Sequence, residues 1–593
     1  MKFLQTYLAA FLATLTAMIV GSMLVILLLI GIGSAVSQAE NTPSVPDGAI
    51  LHLKLDQPIT EYASDDPLDI GFGALGEFGG TIGPRAGLYQ IVRSIRHAAS
   101  DPAVRGIYLN LQGDAATGWA SLKAIRDALL EFRSSGKFIY AYSELYSERA
   151  YYLASTADSI FLPREGMLEF NGLAASPMFF SGLFEKLEIK PAVFRVGTFK
   201  SAVEPFIRKD MSPESKLQVQ AYLGDLWNVF AEEVSASRRI PRGRIDELAS
   251  ELIMADGAAA LRAGLTDGIT TEAAMRRRLA LASGSPADEA PELVAYAKYA
   301  KTVRPARREG GKIALIFAEG NITSGKSSDG SIGSETLTEL LRKAREDESI
   351  QAVVLRISSP GGSALASDQI AAEVSLLNES KPIVASMGNT AASGGYYIAA
   401  PCRRIVAQRN TITGSIGIFG ILFNTRQLFS SKLGLTFDEV ETHPHANAGN
   451  PNFPMDPAES AYFQRQVEQG YGRFLDVVRQ GRKFPDSLSV DRIAQGRVWS
   501  GEDAQGIGLV DELGDLHTAI ASAASLAGLG DSYQLVALVK RENPFESFLS
   551  QLGGTRTQAP EWLAEEAEWY RQLKLQFPQP GLYARMPFDC EIR

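Results

Sequence analysis

Apolar and polar positions along the chain fall into two successive runs of alternating strand and helix signals. In the first run, residues 49–55 alternate and predict a strand, and residues 88–100 carry apolar side chains at helical spacing. Residues 106–111 form the short continuous apolar stretch of a buried strand, residues 121–132 are helical again, and residues 138–142 give another strand. The second run repeats the order, with strands at 313–317, 352–357 and 383–387 and helices at 337–346 and 366–377. Strands separated by helices of this length pair in parallel through crossover connections, so the pattern predicts an α/β fold. Residues 34–47 are small and polar, with Pro43 and Pro46, and read as a linker. Residues 282–311 join the two runs; their middle, 292–300, reads as a connecting helix. Residues 71–87 are glycine-rich, and after residue 541 the pattern stops.

The two runs are copies of one another. Asp101-Pro-Ala-Val-Arg-Gly-Ile-Tyr-Leu-Asn110 matches Asp347-Glu-Ser-Ile-Gln-Ala-Val-Val-Leu-Arg356, and Tyr151-Tyr-Leu-Ala matches Tyr396-Tyr-Ile-Ala, at an offset of about 245 residues. Lys186-Leu187 pairs with Lys432-Leu433, and the spacing Ala260, Gly264, Leu265, Asp267 recurs as Ala504, Gly508, Leu509, Asp511. A period this long marks a duplicated domain, with repeats at 48–281 and 312–541 and a tail at 542–593. The copies differ where chemistry is concentrated. The second has Ser359-Pro-Gly-Gly362 and Ala392-Ser-Gly-Gly395, where the first has Gly113-Asp-Ala-Ala116 and Ser147-Glu-Arg149. The first has Lys200, where the second has Ala446.

Composition narrows the function. A net charge of -10 without a basic block argues against nucleic-acid binding. The uncharged stretch 7–33 is long enough to span a bilayer and reads as an uncleaved anchor, with Lys2 on the cytoplasmic side and the bulk of the chain beyond the inner membrane. Cleavage after the small residues around Ser37-Gln-Ala39 is the alternative. Cys402 and Cys590 make no disulfide framework, and Cys402 reads as a buried small hydrophobe. No metal or cofactor signature is present, and His443-Pro-His445 reads as an exposed loop. Trp562, Trp569 and Tyr570 form an aromatic group in the tail that reads as a packing surface.

Ser393 is the candidate nucleophile. It follows a strand and opens the apolar stretch 394–400, where the free N–H groups of a helix N-terminus stabilise negative charge. The plainer reading is a capping serine followed by closely packed glycines. Gly361 and Gly362 follow the buried strand 352–357, where glycine N–H groups are able to face an oxyanion; the plainer reading is a turn that needs positive φ. Strand ends in one parallel sheet converge on one crevice, which joins these two motifs with Gly394. No histidine lies between Ser393 and His443, so a lysine made neutral by burial is the candidate base. Lys200, in the largely apolar stretch 193–205, fits, although a surface lysine at a strand end fits the same pattern.

Pro360-Gly-Gly-Ser363, Thr390-Ala-Ala-Ser-Gly-Gly-Tyr396, Thr413-Gly-Ser-Ile-Gly-Ile418 and Lys200-Ser-Ala-Val-Glu-Pro-Phe206 together resemble the signal peptide peptidase A (protease IV) family in its long, duplicated form. The resemblance runs from the anchor to about residue 527, and departs at Ser358, where the family often has asparagine. It implies tandem crotonase- and Clp-protease-like domains, a serine peptidase with Ser393 as nucleophile and Lys200 as general base, and an oxyanion site at Gly361, Gly362 and Gly394. It further implies a homotetramer in the bacterial inner membrane that degrades cleaved signal peptides and unfolded peptides. Two rivals remain open: an acyl-CoA enzyme of crotonase type, and an inactive membrane scaffold of the same fold.

Overall fold

The computed structural model of this protein describes residues 11–23, 44–63, 86–112, 117–251, 254–303, 310–328, 330–539 and 582–586. Each run of strands forms its own parallel sheet. The first has the spatial order Gly268–Ile269, Ser159–Leu162, Phe138–Tyr142, Val104–Asn110, Ala49–Lys54, Leu293–Ala295, all parallel. The stretch 292–300, expected as one helix, divides into the edge strand Leu293–Ala295 and the short helix Tyr296–Ala300. Leu293-Val-Ala295 pairs with the exposed flank of Ala49–Lys54, and that ladder outweighs the weak helical spacing.

The second sheet runs Tyr533–Leu538, Gly311–Glu319, Ile350–Ser359, Ile383–Ala392, again parallel. Ile383–Ala392 then meets two neighbours in turn, Arg404–Ala407 along its first part and Ile412–Gly414 along its last. Ile350–Ser359 and Ile383–Ala392 are almost wholly buried. That is why they read as continuous apolar runs, as strands covered on both faces do.

The duplication is visible in specific bonds. Tyr151 donates from its hydroxyl to the Leu265 carbonyl at 2.8 Å, and Tyr396 to the Leu509 carbonyl at 2.8 Å. Asp267 accepts from the Ile160 N–H and Asp511 from the Ile405 N–H, at 2.8 and 2.7 Å. Lys137 and Lys381 hold the matching carbonyls of Ala98 and Asp101, and of Ala344 and Asp347.

The copies are then knitted together. The first-copy strand Lys190–Arg195 pairs antiparallel with the second-copy strand Phe419–Asn424, which belongs to a further sheet containing Leu582–Arg585, Gly361–Ser363 and Asn321–Thr323. Asn389 accepts from the Ser121 N–H and donates to its hydroxyl, both at 2.8 Å. Arg356 and Glu61 form a buried ion pair at 2.8 Å, and Arg356 also donates to the Ser386 hydroxyl and the Met387 carbonyl. A buried pair of this kind is costly to break, because either partner alone would be an uncompensated charge.

Of the expected anchor at 7–33, only 11–23 lie among the described residues, as a helix with exposed side chains. No helix among the described residues is long and apolar enough to cross a membrane. Residues 113–116, most of 71–87, Trp562, Trp569, Tyr570 and Cys590 lie outside the described residues.

Candidate active site

Ser393 sits at the turn between the strand Ile383–Ala392 and the helix Gly394–Ala399. Its backbone is at φ 53 and ψ -114, and its side chain makes no capping bond. A non-glycine residue held in this region costs of order 1–3 kcal/mol and persists only where its surroundings impose it. Here the Ser393 N–H donates to the Gly414 carbonyl at 2.8 Å, which fixes the turn. At the matching turn of the first copy, the helix cap Ser147 is ordinary, at φ -73 with its hydroxyl accepting from the Ala150 N–H. The strain is therefore confined to the copy that keeps the glycines.

Lys200 is delivered from the other copy. It follows the strand Lys190–Arg195, whose pairing with Phe419–Asn424 aims the next loop at the end of the second sheet. That loop is pinned by the Phe199 N–H donating to the Gln495 carbonyl at 2.8 Å, and by Gln218, which donates to the Phe199 carbonyl and the Ser201 hydroxyl. Lys200 Nζ lies 2.8 Å from Ser393 Oγ and 3.0 Å from both the carbonyl oxygen and Oγ of Ser415. Lys200 and Ser393 are both fully buried. Two hydroxyls and a carbonyl surround the amine, none of them charged, and burial holds its pKa well below the ordinary lysine range.

Gly361 lies against Gly394, the residue that follows Ser393. Gly361 is at φ 103, and a Cβ there would sit 2.0 Å from the Ala584 carbonyl oxygen and 2.8 Å from the Gly394 nitrogen. Glycine is thus required twice over, by conformation and by space. Of the five residues named from the sequence, Lys200 contacts Ser393 and Gly361 lies against Gly394, the residue after Ser393, while Gly362, next along the chain, packs on the Ile322 backbone.

Three participants escaped sequence reasoning. Ser415, at φ 49, contacts Lys200; its motif, Thr413-Gly-Ser-Ile-Gly-Ile418, carries the family resemblance but gave it no role. Gly496, at φ 77, packs so closely on Lys200 that a Cβ would lie 2.6 Å from the lysine Cβ; nothing local to Gly496 signals that long-range approach. The strand Leu582–Arg585 lies in the tail, beyond the repeat that organised the sequence reading. Away from the site, His445, Asp456 and Glu459 bring their side-chain ligand atoms within 4.8 Å of one another on the surface. Asp456 and Glu459 form the capping box of the helix Pro457–Gly481, which accounts for the acidic pair.

Residues 131–284 and 375–530 each match the model of peptidase family S49. The chain is 38% identical over 538 residues to Protease 4 of Salmonella typhi, covering 86% of this chain and 84% of that protein. It is 38% identical over 514 residues to Protease 4 of Haemophilus influenzae, covering 84% of this chain and 83% of that one. With the chloroplastic serine protease SPPA of Arabidopsis thaliana it shares 33% identity over 478 residues, 79% of this chain and 70% of its relative. Among solved structures, ClpP1 from Listeria monocytogenes overlaps 34% of this chain and 91% of its own at 14% identity, with a TM-score of 0.22, and adds nothing to the argument. The double family match, and relatives aligned over most of their own length, identify the chain as a member of peptidase family S49 and a serine peptidase.

Proposed function

We propose that Ser393 and Lys200 form a Ser/Lys dyad that hydrolyses extended apolar peptides, cleaved signal peptides among them. The observation that carries this is the 2.8 Å approach of a buried lysine, facing only uncharged partners, to a serine at a strained strand-to-helix turn. A neutral amine has two hydrogens and one lone pair. The two Ser415 oxygens take the hydrogens, which leaves the lone pair to accept the Ser393 proton. The alkoxide attacks the substrate carbonyl carbon, and the N–H groups of Gly362 and Gly394 receive the oxyanion. Lys200 then protonates the leaving amine and activates the water that hydrolyses the acyl-enzyme.

We further infer two crotonase- or Clp-like repeats, at 48–281 and 312–541, behind an anchor at 7–33 in a bacterial inner membrane, with the bulk of the chain periplasmic. The stretch 7–33 carries no charge, and Protease 4 relatives are bacterial proteins. Head-to-tail pairing of the unlike repeat surfaces into a homotetrameric ring would admit only extended chains. Exposed Leu433, Leu435 and Val440 supply apolar surface for such pairing. The test is fluorophosphonate labelling and hydrolysis of a signal-peptide substrate by the full chain. Ser393→Ala and Lys200→Ala should each abolish turnover. Labelling of Ser393→Ala at the wild-type level would assign the nucleophile elsewhere.

A further inference from the structure

The helix Trp119–Arg133 in the first copy and the helix Ala364–Ser380 in the second are counterparts in the repeat, and their N-termini differ. Ala364–Ser380 is capped from within: the hydroxyl of Ser363, just before it, accepts from the Ala366 N–H. The residue just before Trp119–Arg133 is Gly118, which has no side chain to offer. The orphan N–H of Ser121, third in that helix, is taken instead by Asn389 of the second copy. The Asn389 carboxamide accepts this N–H and donates to the Ser121 hydroxyl, both at 2.8 Å. Gly118 leaves room for it, since a Cβ there would sit 2.5 Å from Asn389 Cγ. Asn410, also from the second copy, donates to the Trp119 carbonyl at 2.9 Å. One copy caps its own helix; the other takes its cap from across the seam.

That cap sits on the element that carries the nucleophile. Asn389 lies in the strand Ile383–Ala392, which runs directly into Ser393. The helix it caps is in turn clamped to the long helix Pro213–Arg238. Arg126, buried in that clamp, donates from Nε to the Glu233 carboxylate at 3.0 Å and from a terminal nitrogen to the Glu233 carbonyl at 2.8 Å. Its other terminal nitrogen donates to the Tyr152 carbonyl at 2.6 Å. Near its start, Pro213–Arg238 carries Gln218, which holds the residues on either side of Lys200. Asn389, Ser121, Arg126, Glu233 and Gln218 thus mark an unbroken path of hydrogen bonds and helix backbone, from the strand of the serine to the loop of the lysine.

We propose that Asn389 is a positioning residue: by capping the helix of the other copy, it fixes the strand that ends in Ser393 relative to the loop that delivers Lys200. The proposal rests on the Ser/Lys reading of the site. Asn389 touches neither the substrate nor the reacting atoms. It acts on the gap between base and nucleophile, which matters in the chemical step and not in binding, so its loss lowers kcat and spares KM. A helix cap is ordinarily a device of stability alone. Here the same two bonds also hold a catalytic distance, because the cap and the helix belong to different copies.

The experiment measures kcat, KM and the thermal midpoint of full-length variants, purified in detergent, on a signal-peptide substrate. Asn389→Leu nearly keeps the volume but leaves the Ser121 N–H without its acceptor. Its kcat should fall roughly tenfold, less than the loss from a full ångström of displacement, with KM little changed. Asn389→Asp keeps an acceptor, and the Ser121 hydroxyl turns to donate, so kcat should stay at the wild-type level. A further pair separates capping from positioning. Asn389→Gly removes the link. Adding Gly118→Ser gives the helix a cap of its own, as Ser363 does in the second copy, and Gly118 already has the extended backbone of a cap, at φ -80 and ψ 170. The double variant should regain the thermal midpoint lost in Asn389→Gly while its kcat stays low. Recovery of kcat along with the midpoint, or wild-type kcat in Asn389→Leu, overturns the proposal. Full activity of Lys200→Ala, run beside them, overturns the dyad reading instead.

Discussion

Gly496→Ala is the sharpest test of how the two copies share one site. Gly496 belongs to neither catalytic motif and touches no substrate, yet it sets the depth to which Lys200 can approach. An added Cβ would lie 2.6 Å from the lysine Cβ and 2.7 Å from its Cα and nitrogen. Carbon atoms pack at about 3.5–4.0 Å, so the lysine backbone must retreat by about 1 Å. A shift of 1 Å at a reacting group costs on the order of 10²-fold in rate, equivalent to about 2.7 kcal/mol of barrier. Alanine at φ 77 adds about 1 kcal/mol or more of backbone strain. The expected result is kcat lowered about a hundredfold with KM little changed, and a modestly lower urea midpoint. Fluorophosphonate labelling should slow in parallel, since it too needs the base. Gly243→Ala is the control: it lies in the helix Arg242–Glu251 with nothing within 4 Å of its would-be Cβ, and should leave kcat unchanged. A Gly496→Ala enzyme within twofold of wild-type kcat would refute the claim that this contact positions the base.

Activity should be lost as pH falls through the depressed pKa of Lys200, measured as kcat/KM against pH; a profile flat through the acid range would refute a neutral lysine base. Between that folded value and the ordinary lysine range the unfolded chain binds the extra proton, so stability rises with pH there, by about 1.4 kcal/mol per unit of depression. Ser415→Ala removes one of the two oxygens that orient the amine and should lower kcat about tenfold while fluorophosphonate labelling persists; full activity would exclude Ser415 from the dyad's support. Ser393→Ala combined with Lys200→Ala should be no slower than either alone, because the two act as one unit. Glu148, at the equivalent turn of the first copy, has its carboxyl pushed up to about 7 by burial. Its folded pKa lies above the unfolded one, so its stabilising effect is lost as pH rises towards 7. Glu148→Gln keeps an oxygen for the Asn171 and Gly172 N–H groups and should raise the melting temperature above pH 7 without changing kcat.

Much of this was legible in the chain because the signals were local. Strand and helix order followed from periodicity, and the duplication followed from matched residues whose bonds recur, such as Tyr151 and Tyr396. Ser393 and the three glycines were found because strand ends in a parallel sheet meet in one crevice. Lys200 was a lysine in an apolar stretch, which left its role open; the family resemblance assigned it the role of base, and the strand pair that carries it across the copies, invisible in the sequence, is what brings it to Ser393. Ser415, Gly496 and Leu582–Arg585 were not legible, because each acts through a contact with residues far away in sequence. The short strand Leu293–Ala295 was misread for the same reason: a three-residue edge strand is specified by its neighbour, not by its own pattern.

The crossing of Lys190–Arg195 onto Phe419–Asn424 also bears on the history of the chain. A duplicated gene segment is normally free to be lost, since either copy can do the work of both. With the serine and glycines in one copy and the lysine in the other, that freedom is absent on the proposed dyad, because deletion of either half would leave one group without its partner. The strand pairing makes the division permanent in space as well as in sequence. It also sets a schedule for each newly made molecule: the half that carries Lys200 leaves the ribosome first, and on the proposed dyad it would gain its partner only when the later half has been synthesised and folded against it.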